Sequence, residues 1–133
     1  MPDEKLHRYK ASLRVFSRSL GAGELTRALG DPTKSHDAGD PVSRHRPEAT
    51  KHKTALWLLE SGIDETAPLD QHLAVLLDAI DARRDDFEAI RHECEIDIFC
   101  GIFSDGDQGG FTLEPDIIRR LADVGLAVGF DVY

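Results

Sequence analysis

Apolar and polar residues alternate along three stretches of the chain, and this two-residue period is typical of a β-strand with one buried face. The stretches cover residues 8–19, 94–103 and 126–133. The residues predicted to face inward are Tyr9, Ala11, Leu13 and Val15, then Cys94, Ile96, Ile98, Cys100 and Ile102, and finally Leu126, Val128, Phe130 and Val132. A fourth stretch, residues 54–61, is apolar on both sides around Trp57, which predicts a central strand.

Spacings of three and four residues between apolar positions predict helices. The longest predicted helix follows Pro68, and its apolar face comprises Leu69, His72, Leu73, Leu76, Leu77 and Ile80. Shorter helices are expected at residues 24–29 and 115–124. Residues 83–86 are charged and predict a break, whereas the polar connection at 30–53 has room for one short edge strand.

This order of elements predicts an α+β fold. We expect a single twisted sheet of four or five strands, mixed or antiparallel, with the helices packed on one face. The length of 133 residues suits one domain over residues 1–133, with a polar loop at about 30–53. An edge strand near residues 33–42 would also permit a homodimer.

Charge is distributed unevenly along the chain. Residues 1–53 hold 11 Lys/Arg against 7 Asp/Glu, whereas residues 54–133 hold 5 against 18. A basic patch beside a broad acidic field favours a charged protein partner or a small anion, and it disfavours binding to nucleic acid. The expected partner is therefore charged.

Other features of the composition indicate a cytoplasmic protein. Apolar residues make up 41% of the chain, and no apolar run approaches the roughly 20 residues that cross a bilayer, so no membrane association is expected. The polar N-terminal residues lack the pattern of a secretion signal. Cys94 and Cys100 lie about 20 Å apart along one predicted strand, beyond disulfide reach, which predicts reduced thiols.

The most basic segment is the candidate anion site. Between Arg44 and Lys53, four permanent cations and two histidines face a single Glu48. Arg44 and Arg46 are suited to binding oxyanions, and Lys51 and Lys53 add point charges, although a solvated loop is the alternative. Two further residues complete the candidate ligand-binding set. These are Trp57, which is expected within the core, and Asp131, which is expected with Tyr133 on the side of the last strand facing away from the core.

Metal binding is not predicted. The histidines at 36, 45 and 52 have spacings that match no common zinc motif. Residues 105–116 resemble a calcium loop in part, but Gly109 removes a ligand and Asp116 is shorter than the usual Glu. No cofactor is expected either.

The leading functional hypothesis is a non-enzymatic binding or protein-interaction module, with an immunity-type protein as one version. The alternative is a small hydrolase that uses strand carboxylates and a histidine. Glu95 and Asp97 would lie about 7 Å apart on one side of a strand, and Asp131 is a further candidate carboxylate. The histidine would be His92 or one in the polar loop. No nucleophile elbow or phosphate-cradling loop accompanies them.

Several short motifs occur along the chain. They are Leu13 with the Arg and Val that follow it, the stretch Glu24–Thr33, Gly39, the strand Trp57–Ser61, the leucine-rich helix and the final Phe130–Tyr133. Together these motifs resemble domain-of-unknown-function family 4279. The resemblance spans nearly the whole chain and implies a small bacterial α+β domain. It implies no activity, cofactor or catalytic residue.

Overall fold

The computed structural model describes residues 7–43, 45–46, 48–104 and 110–133. Within these residues the strands are β1 (His7–Ser17), β2 (Lys34–His36), β3 (Ala55–Glu60), β4 (Cys94–Ser104) and β5 (Ala127–Val132). The helices are α1 (Ala22–Leu29), α2 (Leu69–Ala82), α3 (Arg84–Ile90) and α4 (Pro115–Val124), and a short 3₁₀ turn spans Arg91–Glu93. In the part of the chain so described, no helix is both long and apolar enough to span a bilayer.

The described strands form one mixed sheet in the order β2-β3-β1-β4-β5. β2 pairs with β3 in antiparallel fashion, with Lys34 opposite Leu58. β4 and β5 run parallel, with Asp97 opposite Ala127. The predicted α+β class with a single sheet of four or five strands is confirmed, and β2 is the short edge strand expected in the polar connection.

The chain divides into two compact units, which differ in charge. The acidic unit comprises Met1–Leu13, Glu60–Ala82 and Asp97–Tyr133, and the second unit comprises Arg14–Leu59 and Arg83–Ile96. The acidic unit holds 15 Asp/Glu and 5 Lys/Arg in its sequence, a net charge of −10, whereas the second holds 10 and 11, a net charge of +1. Almost all of the acidic excess therefore lies in one unit. The expectation of a single domain stays a prediction.

Helices α2 and α4 build the helical layer of the acidic unit. The predicted apolar face of α2 is buried, at 4% exposure or less, and comprises Leu69, His72, Leu73, Leu76, Leu77 and Ile80. α2 packs against α4, and the Arg120 guanidinium of α4 lies 2.8 Å from Asp78 and 3.0 Å from Asp81. Because α4 connects two parallel strands, β4, α4 and β5 form a β-α-β unit.

α4 has the boundaries that its sequence predicts. Pro115 occupies the first turn, where its missing N–H removes no helical hydrogen bond. Gly125 follows the last turn at φ 65°, in the left-handed region that favours glycine, and its N–H bonds to the Leu121 and Ala122 carbonyls.

The second unit is organised around Trp57. Its side chain is 1% exposed, and the indole N–H donates to the Gly30 carbonyl at 2.9 Å. The Phe87 ring of α3 meets the indole edge to face, with the ring centroids 6.2 Å apart. The expectation that Trp57 lies in the core is confirmed.

The predicted charged break at residues 83–86 is wrong, because α3 begins at Arg84 and a single residue separates it from α2. The charges are compatible with a helix start, since Asp85 and Asp86 lie in the first turn. Acidic side chains there interact favourably with the positive end of the helix dipole. All of these side chains are exposed, and Phe87 is the residue of α3 that is buried.

The predicted inward orientation of the last strand is also wrong in part. Leu126 and Val128 are half-buried, but Phe130 is 42% and Val132 is 69% exposed. β5 is the terminal strand of the described sheet and has β4 as its neighbour, so few side chains cover its end. Alternation predicts which residues share a face but not whether that face is covered.

The described part of the polar connection is ordered as an irregular antiparallel ladder. The Gly39 N–H bonds to the His52 carbonyl at 2.8 Å, and the Val42 N–H bonds to the Thr50 carbonyl at 3.0 Å. Asp37 links this ladder to α1, because its carboxylate accepts the Ala22 N–H at 2.7 Å. This contact supplies the helix cap that Gly21, which has no side chain, lacks.

Candidate binding site

A cavity of about 460 Å³ opens within the acidic unit. It is lined by residues of β1, by the segment that follows β3, by one face of β4, by His72 of α2 and by Tyr133. The aromatic lining residues are Tyr9, Phe99, Phe103 and Tyr133. Its size lies within the roughly 300–1,000 Å³ of small-molecule sites, which are mostly apolar with a few polar groups.

One wall of the cavity is a stacked aromatic pair. The rings of Phe103 and Tyr133 lie 4.7 Å apart and within 5° of parallel. Gly101 permits this arrangement, because a Cβ atom there would lie 3.2 Å from Cε2 of Phe103. The Tyr133 N–H bonds to the Ile102 carbonyl at 2.9 Å, which fixes the backbone of the pair. A hydrogen bond to the Asp131 carboxylate raises the pKa of Tyr133, so the hydroxyl stays protonated at neutral pH.

The buried polar group of the cavity is His72. Its side chain is 1% exposed, and Nδ1 lies 2.6 Å from Oγ of Ser61. Its Nε2 atom is buried and has no hydrogen-bond partner among the described residues. Burial lowers the pKa of His72, an effect that the nearby Ala67 and Asp64 carbonyls oppose only in part. The imidazole is therefore neutral at pH 7.

Sequence reasoning did not identify His72 or Ser61 as candidate site residues. His72 was assigned to the apolar face of a leucine-rich helix, and a polar residue on such a face was the available signal. Its partner lies eleven residues away at the end of β3, a contact that periodicity does not predict.

The second candidate surface of the acidic unit is the outer edge of β5. Phe130 stacks on Phe111 with the ring centroids 5.1 Å apart, and both rings are about 40% exposed, at 42% and 39%. Val132 is 69% exposed. In the described sheet β5 has a strand neighbour on one side, so its other edge presents backbone N–H and C=O groups.

The residues predicted for the basic anion site are only partly described. Arg44 lies outside the described residues. Arg46, Lys51 and Lys53 are exposed, and Arg46 lines a shallow depression with His45, Glu48 and Ala49. Neither lysine lines that depression. The anion site therefore stays a prediction.

The other two predicted binding residues have distinct positions. Trp57 is buried and its N–H is already used, so in this conformation its ring presents no surface to a ligand. Asp131 is exposed and contacts the cavity wall through Tyr133. A ligand-binding role for either residue stays a prediction.

The histidines of the polar connection contact each other. His36 and His52 stack with their ring centroids 3.4 Å apart. Burial, then the neighbouring His52, lowers the pKa of His36. Over the residues that are described, no group of three His, Cys, Asp or Glu side chains could hold a metal ion. The first residues of the calcium-like loop, 105–109, lie outside the described part of the chain.

The strand carboxylates and cysteines have ordinary surroundings. The His92 side chain is 74% exposed and lies 3.9 Å from Glu93, and both line a depression of about 280 Å³ with Glu95. Cys94 and Cys100 are both free, as predicted. Burial raises the pKa of Cys100 to about 12, so this thiol is unreactive at neutral pH.

Comparison with known protein families identifies one match. The family model described as Domain of unknown function (DUF4279) matches residues 7–133. The chain belongs to this family. The match confirms the resemblance found in the sequence, and it covers both units of this DUF4279 chain. No curated protein and no solved structure matches the chain.

Proposed function

We propose that this chain is a non-enzymatic protein-interaction module whose acidic unit binds a basic partner protein along the edge of β5. The observation that carries the proposal is an edge strand with exposed apolar side chains in a unit of net charge −10. One form of such a module is an immunity-type protein that covers a basic toxin.

The edge of β5 has the two properties that strand addition needs. In the described sheet β4 is its strand neighbour on one side, and an extended segment of a partner can pair with the backbone groups on the other side. Phe130 and Val132 add apolar surface at alternate positions, which gives affinity to side chains on the paired segment. Soluble proteins commonly protect such an edge, so an edge strand without a second strand neighbour in the described sheet supports a binding role.

Charge determines which partner fits. A unit of net charge −10 attracts a basic partner at long range and repels a second copy of itself. Asp131 lies between these two apolar residues in the sequence and adds negative charge on the opposite side of the strand. An extended segment that alternates apolar and basic residues therefore fits best.

A defined peptide tests this proposal. A twelve-residue peptide of alternating Lys and Val is titrated into the protein by fluorescence anisotropy, beside a Glu/Val peptide of equal length. We expect the Lys/Val peptide to bind at least about tenfold more tightly, and its affinity to fall strongly at 0.5 M salt. Equal affinity for the two peptides would overturn the proposal.

A matched pair of variants locates the binding surface. Val132→Lys places a cation on the β5 edge and should weaken binding at least about fivefold. Val42→Lys makes the same change at a valine of the second unit that is 54% exposed, and it should leave affinity unchanged. Equal effects of the two substitutions, or a dimer by light scattering with no peptide binding, would contradict the assignment to a basic partner.

A further inference from the structure

We propose that the cavity of the acidic unit binds a small organic cation with an aromatic or apolar body. This inference is independent of strand addition at β5, because it depends on the cavity residues and not on the outer edge of the sheet.

The walls of the cavity suit the body of such a ligand. Its aromatic side chains come from three separate segments. The Phe103 and Tyr133 rings are already stacked, and Gly101 leaves room for the Phe103 ring because it has no Cβ. A preformed aromatic surface loses little conformational entropy on binding. Flat or apolar ligands therefore gain contact area at low cost.

The charge around the cavity determines whether it favours a cationic or an anionic ligand. Glu60 and Glu65 line the cavity, and Lys10 is the one Lys or Arg among its described lining residues. The surrounding unit carries a net charge of −10, and a concave site focuses that negative potential. The faces of Phe and Tyr rings also attract cations. Each of these effects favours an ammonium or guanidinium group.

His72 adds no positive charge to the cavity. Its Nδ1 lies 2.6 Å from Oγ of Ser61, and burial lowers the pKa of the imidazole, so the ring is neutral at pH 7. A neutral imidazole does not repel the cation.

The same geometry argues against reading Ser61 and His72 as a catalytic pair. In a serine nucleophile system a carboxylate or similar group orients the imidazole through its second nitrogen. Here that nitrogen is unpaired among the described residues. The nearby Asp64 carboxylate instead accepts hydrogen bonds from the Thr66 N–H and hydroxyl.

Three indoles that differ only in side-chain charge test the proposal by calorimetric titration. They are tryptamine, which is cationic, tryptophol, which is neutral, and indole-3-acetate, which is anionic. We expect saturable one-to-one binding of tryptamine, at least about tenfold tighter than tryptophol, with indole-3-acetate weakest. No saturable binding of tryptamine, or equal affinity for the three compounds, would overturn the proposal.

Paired variants place the bound probe in the cavity. Glu65→Gln should weaken tryptamine binding about threefold or more, whereas the same change at the exposed Glu114, outside the cavity, should have no effect. Phe103→Ala should weaken it further, whereas Phe111→Ala, also outside the cavity, should not. Circular dichroism verifies that each variant folds. Equal losses at cavity and control positions would contradict the assignment.

Phe130→Ser separates the two proposals. This substitution removes apolar surface from β5 without changing the charge, and it lies outside the cavity lining, so peptide binding should weaken whereas tryptamine affinity should be unchanged. Loss of both activities would contradict the independence of the two sites.

Discussion

The contact between Ser61 and His72 makes a prediction about stability that can be worked out from the structure. Ser61→Ala removes the hydrogen-bond partner of His72 Nδ1. This nitrogen would then be unsatisfied in a side chain that is 1% exposed. A buried polar atom without a partner costs about 1–3 kcal/mol, so we expect Ser61→Ala to destabilise the protein by about 2 kcal/mol.

His72→Leu should be the milder change although it alters more atoms. Leucine suits the apolar face of α2, and the substitution removes both buried nitrogens together. The Ser61 hydroxyl that remains is half-buried and can bond to water. We expect a cost below about 1 kcal/mol, and we expect the added Ser61→Ala change to cost little more in the double variant.

Urea denaturation of the four proteins measures these differences. With a slope of about 1–3 kcal/mol per molar urea, a loss of about 2 kcal/mol lowers the midpoint by roughly 1 M. The double-mutant cycle formed by these four proteins should show a coupling free energy of about 1–2 kcal/mol between Ser61 and His72. Additive effects within about 0.5 kcal/mol, or a Ser61→Ala cost below about 0.5 kcal/mol, would refute the reasoning.

Further predictions concern pH, helix capping and the basic segment. The folded-state pKa values of His36 and His72 are lowered, so the unfolded chain binds more protons below about pH 6.5, and stability should fall as pH drops from 7.5 to 5.5. The free energy of unfolding should change by at most about 1.4 kcal/mol per pH unit for each histidine. Urea midpoints that do not change with pH would contradict this expectation. Asp37→Ala should cost about 0.5–2 kcal/mol in urea unfolding because α1 loses its cap, whereas an unchanged midpoint would show that the contact adds nothing. If the basic segment binds anions, phosphate should raise the melting temperature, and changing both Arg44 and Arg46 to Ala should abolish that shift.

Local periodicity was sufficient to predict most elements of this fold. The leucine face of α2 and the proline and glycine at the ends of α4 are local signals, and the structure has both helices there. The prediction of a break at the charged start of α3 was wrong because a run of charged residues has the composition of a loop. Acidic residues are equally favourable in the first turn of a helix. Exposure of Phe130 depends on the position of β5 in the sheet, which alternation does not encode.

The candidate sites were harder to predict because they depend on tertiary contacts. Tyr133 was expected on the side of the last strand that faces away from the core, and in the structure it lines the cavity. The other walls come from Tyr9, Phe103 and the segment after β3, and pairing of distant strands brings them together. The unsatisfied nitrogen of His72 results from packing, so only a structure reveals it. Net charge, in contrast, can be counted directly from the sequence, and it predicts a charged partner.

The most direct test of the proposed function is an NMR titration of the ¹⁵N-labelled protein with the Lys/Val peptide at low salt. We expect the largest amide shifts to map to Ala127–Val132 and to disappear at 0.5 M salt, because strand addition engages the β5 backbone and charge supplies the attraction. Shifts confined to the basic segment around residues 45–53, or spread evenly over the chain, would contradict a binding edge on the acidic unit.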